Sequence, residues 1–369
     1  MKISRSVGIV AVAVAFIFLT TASVAPRADD NLVALWHLDE ASGPTVFDSS
    51  GNGNDGQIGS TTTRVPGLFG NALAFGVGKD YVALPASESL NVSASYTFEA
   101  WVWLPPWSAN CAADPYQGLF RRGDTLSAFP QLEIYVLKCG DIYYQQGRLA
   151  VVHSRVWGDP VAYAYFTPVP RDTWIHLAVR WSGSGTPEAF YDGVSQGATY
   201  VYGTFRNPPT SPLEPSYIGH GYQLDDMQGM LDEVRLWDRA LTDDEILLHA
   251  SPVELAIDIK PGSSDNTVNL GANGVVPVAI LTTDDFDASE VDLSTVTLAG
   301  AQPQPRGKSG IIGSLEDVDG DGDLDLVVRF PVSALQLTAN DTEATLVGWT
   351  TSLQHVQGSD FITIVPRRK

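Results

Sequence analysis

Apolar and polar residues alternate with a period of two along much of this chain. The run Tyr96-Thr-Phe-Glu-Ala-Trp-Val-Trp-Leu104 shows it at length, and Gln131–Leu137, Ile175–Trp181, Glu188–Tyr191 and Met230–Leu236 repeat it. Successive side chains of an extended chain point to opposite faces, so each run predicts a strand with one face buried. Gly, Pro, Asn and Asp punctuate the runs at short intervals, as the turns of an all-β sandwich require. A helical pattern is expected at one place, Thr242–His249. Thr242 can cap it, Glu245 completes a capping box, and Asp243 and Asp244 suit the positive end of the helix dipole. Pro252 cannot continue that helix, and a new β-rich unit begins at Glu254.

At the N-terminus the pattern changes. Lys2 and Arg5 precede an apolar run, Val7–Leu19, and a stretch of small polar residues follows it. This is the layout of an export signal, and its apolar core is shorter than the ~20 residues of a membrane span. Residues 1–28 are therefore expected to be a signal cleaved somewhere between Ala22 and Ala28, with an uncleaved N-terminal anchor as the alternative, and the protein to be secreted, extracellular or held at a cell surface. No later segment is long and apolar enough to predict a membrane span. In an exported protein the two cysteines, Cys111 and Cys139, are expected to form a disulfide. A length of 369 residues suggests two domains after the signal. The net charge of -21 argues against nucleic acid or an anionic membrane as partner, because both require a basic patch.

Five of the 43 acidic residues fall close together in Asp317-Val-Asp-Gly-Asp-Gly-Asp-Leu-Asp325. Aspartates at 317, 319, 321, 323 and 325 would repel one another unless a cation lay between them. Calcium (Ca2+) takes six to eight oxygens, and a tightly curled loop supplies them from alternate positions. The spacing predicts side-chain ligation by Asp317, Asp319, Asp321 and Asp325, and ligation by Asp323 through its backbone carbonyl. Val328 stands where a helical calcium sensor has glutamate, and Leu-Val-Val-Arg-Phe330 reads as a strand. The loop is thus of the kind that feeds a strand in β-rich extracellular proteins.

A second pattern spans the first unit. Leu35-Trp-His-Leu-Asp-Glu40, Asp48-Ser-Ser-Gly-Asn-Gly-Asn-Asp-Gly56 and Phe69-Gly-Asn-Ala-Leu-Ala-Phe75 are followed by Tyr96–Val102. Trp174-Ile-His-Leu-Ala-Val-Arg180 and Gly229-Met-Leu-Asp-Glu-Val-Arg-Leu-Trp237 come next. This succession resembles the bacterial LamG-like jellyroll domain of the concanavalin A-like lectin/glucanase superfamily. The resemblance implies an all-β fold: an antiparallel jellyroll β-sandwich over 29–251. A second, smaller β-sandwich-like domain over 254–369 would carry the calcium loop. That C-terminal unit resembles a β-rich domain appended to secreted bacterial proteins. The resemblance also implies a weaker calcium site where early and late strands meet, built from Asp39, Asp48 and Asp232. The alternative for these three is ordinary turn chemistry.

For sugar recognition the sequence offers Glu99, Trp101, Trp103 and Trp107. Glu99, Trp101 and Trp103 share the face of their strand opposite to Phe98 and Val102, where aromatic rings can stack on sugars. Burial beneath the insertion from Pro105 to Gln146, stapled by the disulfide, is the competing expectation for them. The Glu-x-Asp run of a glucanase strand is absent from the first unit. The resulting expectation is a non-catalytic, calcium-stabilised protein that binds polysaccharide or glycoconjugate. A structural or adhesive surface protein is the alternative, and a glycan-cleaving enzyme a more distant one.

Overall fold

The computed structural model describes residues 31–365 except 60, 77–79, 107–115, 124–130, 138–146, 154–160, 209–214, 222–226 and 306–311. The proposed signal segment, Trp107, Cys111 and Cys139 lie outside the described residues.

The first unit is a sandwich of two antiparallel sheets. One sheet runs, in spatial order, Val194–Gln196, Glu188–Tyr191, Trp174–Trp181, Tyr96–Trp103, Gly229–Trp237, Asn71–Phe75 and Thr63–Pro66, with Leu32–Trp36 also paired to Gly229–Trp237. The facing sheet runs Tyr200–Tyr202, Ala162–Pro168, Arg148–His153, Leu132–Leu137, Tyr116–Arg122, Ser216–Ile218, Val82–Leu84, Gly56–Ile58 and Thr45–Val46. We call these the eight-stranded and nine-stranded sheets. Their inner faces meet in one core. Tyr96, Phe98, Ala100 and Val102 enter it from the strand Tyr96–Trp103, as the period-two pattern requires.

A strand covered on one face only would alternate buried and exposed. Tyr96–Trp103 does not, since every residue except Trp103 is buried. The outer face of the eight-stranded sheet is itself covered, and by two elements. The first is α1, Asp243–His249. Glu245 N–H donates to Thr242 Oγ1 (3.2 Å) and Thr242 N–H to Glu245 Oε2 (2.7 Å), the reciprocal bonds of a capping box. Ile246 of α1 packs with Leu32, Leu35, Ala178, Phe190, Trp237 and Leu241.

The second cover is the C-terminal unit. It has a core of its own, drawn from Leu255 to Ile362. Two four-stranded sheets build it. One orders Val253–Glu254, His355–Phe361, Glu343–Thr350 and Val291–Leu298; the other orders Ile257–Ile259, Val275–Ile280, Asp325–Pro331 and Ser314–Glu316. Trp349 and His355, directly paired on adjacent strands, reach the first unit. The His355 ring stacks on Phe69 at 3.5 Å between centroids, and Trp349 meets Phe69 edge-on at 5.7 Å. Phe69, Trp101 and Trp349 form one buried cluster against Trp174.

Candidate functional site

The sugar-facing residues expected from sequence are largely under this cover. Glu99 is fully buried and Trp101 nearly so, and Trp103 is half-buried. Glu99 accepts Trp237 Nε1–H (2.9 Å) and lies 3.0 Å from His249 Nδ1 of α1, with His176 Nε2 at 3.6 Å. Burial opposes the charge on Glu99, but His249, His176 and Arg235 outweigh it and hold the carboxyl down at about 2. Glu99 thus pins α1 to the sheet. The expected role of Glu99 and Trp101 in contacting sugar is corrected: α1 and the C-terminal unit occupy the face on which a ligand would sit.

The outer face of the nine-stranded sheet carries a different surface. Tyr217, Arg121, Glu133, Val152, Tyr163 and Tyr202 follow one another across six neighbouring strands as directly opposed residues. One step along, Gly118, Tyr135, Ala150, Tyr165 and Tyr200 form a parallel row. Tyr163 and Tyr202 are stacked at 4.9 Å with planes 21° apart, and Tyr163 and Tyr200 at 6.0 Å and 26°. Tyr200 is 47% and Tyr202 52% exposed, so rings at this end of the face meet solvent. At the other end Arg121 and Glu133 are buried, and the Arg121 guanidinium lies 5.6 Å from the Tyr217 ring centroid. Burial pushes the Tyr135 hydroxyl well up, with Tyr165 and Glu133 adding to the shift. The sequence signal for this face is the alternation in Tyr163-Ala-Tyr165 and Tyr200-Val-Tyr202, which places each pair of rings on one side of its strand.

Residues 76–247 match the family model of the concanavalin A-like lectin/glucanases superfamily. The N-terminal sandwich is a concanavalin A-like domain. Among solved structures, domain 4 of AbnA, a GH43 extracellular arabinanase from Geobacillus stearothermophilus in complex with arabinotriose, is 20% identical. That match has a TM-score of 0.44 and covers 59% of this chain and 97% of the domain. Trypanosoma rangeli sialidase matches at 16% identity and a TM-score of 0.42, over 60% of this chain and 32% of the sialidase. The binding domain of Paraclostridial Mosquitocidal Protein 1 matches at 11% identity and a TM-score of 0.43, over 88% of this chain and 85% of that domain. No curated protein matches the chain.

Of the three carboxylates expected to share a cation in the concanavalin A-like domain, two come to one turn. Asp232, fully buried, accepts Leu68 N–H and Phe69 N–H (both 2.9 Å), and Asp39 accepts Asn71 N–H (2.6 Å). Asp48 is elsewhere and caps a turn, taking the N–H groups of Leu35, Ser50 and Asn54 at 2.9–3.1 Å. The trio is therefore corrected to a pair plus a turn residue. Burial raises both carboxyls of the pair, Asp39 to about 6, and the neighbouring Glu233 carboxylate adds to each shift. Glu233 sits at a bulge in Gly229–Trp237 with a left-handed φ of 50°, which turns its carboxylate to His37 Nδ1 (2.8 Å). Burial works against a charged His37, but Glu233 outweighs it and raises the imidazole.

In the C-terminal unit, carboxylate oxygens of Asp317, Asp319 and Asp325 lie within 4.8 Å of one another. Gly320 and Gly322 adopt φ of +83° and +104°, which lets the loop curl tightly. Asp325 is buried and braced by Thr282 N–H (3.0 Å) and Val318 N–H (2.8 Å). The ligand set differs from expectation in two places. Asp321 stands outside the converging group and accepts Asp323 N–H (3.1 Å). Asp323 Oδ1 is buried without a donor, so its side chain, and not only its carbonyl, is available to a cation. Burial and then Asp321 hold the Asp323 carboxyl above its ordinary value. An all-oxygen donor set with an orphaned carboxylate oxygen fits a hard divalent cation.

The seam between the units has its own chemistry. Arg235, buried, lies 4.9 Å from the Trp349 ring centroid. Burial pushes His355 down to about 3, and Arg235 and His37 add to the shift. The folded state therefore demands a neutral His355, while the unfolded chain takes up a proton below about 6.5. Stability is complete above that value and is lost as the pH falls from about 6.5 towards about 3, by roughly 1.4 kcal/mol per pH unit for this proton. His355→Phe keeps a ring on Phe69 and removes the titration. Its unfolding free energy, followed by urea denaturation, should gain on that of the parent by about 1 kcal/mol per pH unit below 6.5. Parallel curves from neutral pH to pH ~4 would show that His355 does not control the acid limb.

Proposed function

We propose that this chain is an exported, non-catalytic glycan-binding protein whose binding surface is the tyrosine face of the nine-stranded sheet. The observation that carries this reading is the pair of exposed rings, Tyr200 and Tyr202, stacked with Tyr163 at the edge of the nine-stranded sheet. Flat aromatic rings that meet solvent suit stacking on a sugar ring, and their hydroxyls can bond to its polar groups. A retaining glycosidase needs two carboxyls about 5–5.5 Å apart. In the two rows that build this face Glu133 is the single carboxylate, with Arg121 opposite it. That favours binding over cleavage.

A polysaccharide and glycan array, run with calcium and then with chelator, tests the reading. A defined glycan should be retained, and Tyr200→Ala combined with Tyr202→Ala should weaken it by about 30-fold. Both rings are exposed, so the variant should melt within about 0.5 kcal/mol of the parent. If the folded protein retains no glycan in either condition, the structural or adhesive reading takes its place.

Calcium belongs to the proposal as a stabiliser of the C-terminal unit, held by Asp317, Asp319, Asp323 and Asp325. An ion at a hundred times its dissociation constant adds about 2.7 kcal/mol to the folded state. Chelation should lower the melting temperature of the protein by several degrees. Asp319 is exposed, and its recorded bond is an acceptance from Asp321 N–H (3.2 Å). Asp319→Ala should therefore melt earlier in calcium and match the parent in chelator. Asp325→Ala should be destabilised in both, because Asp325 also braces two backbone amides. Identical melting of parent protein with and without calcium would remove the ion from this account.

A further inference from the structure

A cleft of about 420 Å³ lies between the concanavalin A-like domain and the C-terminal unit, away from the tyrosine face. Its volume falls in the range of small-molecule sites, which often form where domains meet. Asp39 and His37 line it from one domain, and Asp292, Ser294, Trp349 and Thr351 from the other. Among the described residues that line it there is no lysine or arginine. His37 is the one basic group, and Glu233 already engages it at 2.8 and 2.9 Å.

Each wall thus presents a carboxylate: Asp39 beside His37, which Glu233 engages more closely, and Asp292 with no lysine or arginine among the described lining residues. Asp39 Oδ1 accepts Asn71 N–H (2.6 Å), and Asp292 Oδ1 accepts Ser294 N–H (3.0 Å) and the Ser294 hydroxyl (2.7 Å). In both carboxylates the recorded bonds go to Oδ1 and leave Oδ2 for a ligand. The Asp292 wall is also rigid. A bulge in Val291–Leu298 follows Asp292, and Thr295 is fixed there, donating to Asp292 O (2.7 Å) and accepting Trp349 N–H (2.9 Å). Bulges of this kind re-aim side chains beside functional sites. Around the two carboxylates stand several hydroxyls, which suit a hydroxylated ring, beside the nearly buried Trp349 indole.

We propose that this interdomain cleft is a second ligand site, for a cationic sugar: a monosaccharide unit bearing a free primary ammonium group. The ammonium bridges Asp39 and Asp292 from opposite domains, and the ring hydroxyls bond to the serine and threonine hydroxyls. Binding there draws the two domains together and is independent of glycan capture on the tyrosine face.

The test is calorimetric titration of the two-domain protein with glucosamine, at a pH where its amine is charged, and with N-acetylglucosamine, which keeps the ring and removes the charge. Glucosamine should bind saturably, and N-acetylglucosamine about tenfold more weakly. Asp292→Asn and Asp39→Asn preserve shape and should each weaken glucosamine by about tenfold, whereas Tyr202→Ala should leave its affinity unchanged. The proposal is overturned by equal binding of the two sugars. It is also overturned by a loss in Tyr202→Ala without a loss in Asp292→Asn, which would place the sugar on the tyrosine face. Absence of saturable glucosamine binding by protein with an intact melting curve overturns it as well, and leaves the tyrosine-face reading untouched.

Discussion

Glu99→Ala is expected to destabilise the concanavalin A-like domain by about 3–5 kcal/mol, the cost of leaving the partners of a buried ionic group unmatched. Trp237 Nε1–H and His249 Nδ1 would both lose their acceptor inside the protein. The helix α1 would then be held to the sheet mainly by Ile246 and its neighbours. Glu99→Gln keeps an acceptor for Trp237 but loses the charge that faces His249, so about 1–3 kcal/mol of loss is expected. The pH dependence follows from the depressed carboxyl. Its contribution is complete above the ordinary carboxylate value of 4.5 and is lost as the pH falls through about 2. Urea denaturation at neutral pH measures the loss. A change below about 0.5 kcal/mol in both variants would mean that the network contributes little beyond packing.

Trp349→Ala is expected to cost about 3–5 kcal/mol and to separate the unfolding of the two units. The indole is 6% exposed and packs against Phe69, Trp101, Arg235, His37 and His355, all but His355 from the other domain. Its removal opens a cavity and leaves the buried Arg235 guanidinium without the ring it faces. The seam is reinforced by Gln354 Nε2–H, which donates to Ser251 O (2.8 Å). In the parent, a seam this tightly packed should make both units melt in one calorimetric transition. In Trp349→Ala two transitions should appear, with the concanavalin A-like domain shifted although the substitution lies outside it. Trp349→Phe should fall between them. A loss confined to the C-terminal unit, with the other transition unmoved, would show that the units are thermodynamically independent.

The strands and α1 were legible because they are written locally. Tyr96–Trp103, Trp174–Trp181 and Gly229–Trp237 sit within a residue or so of the alternating runs that predicted them. The capping box of α1 is built from the residues that signalled it. The same alternation identified which side of Tyr96–Trp103 meets the core. It could not show what lies on the other side. Glu99 and Trp101 are polar and aromatic in sequence whether they face solvent, a sugar or a helix. Their cover comes from α1, more than a hundred residues later, and from Trp349 and His355, later still. The acidic loop was legible as a donor set, since aspartates at alternate positions with interleaved glycines are a local signal. Which carboxylates converge depended on Asp325 being held by Thr282, a residue from another strand end.

Sequence alone determined the all-β class, the sandwich family, the helix with its cap, and the oxygen-rich loop. Each rests on side-chain period, backbone preference or donor spacing within a few residues, and these are properties of the chain itself. Tertiary structure decided which parts of each sheet face are covered, because burial depends on what folds over a surface. It paired Asp39 with Asp232 and left Asp48 aside. It also lined up tyrosines from two strands into one exposed platform and closed a polar cleft between the domains. Those arrangements join residues far apart in sequence, and only the register of the sheets and the packing of one unit on the other bring them together.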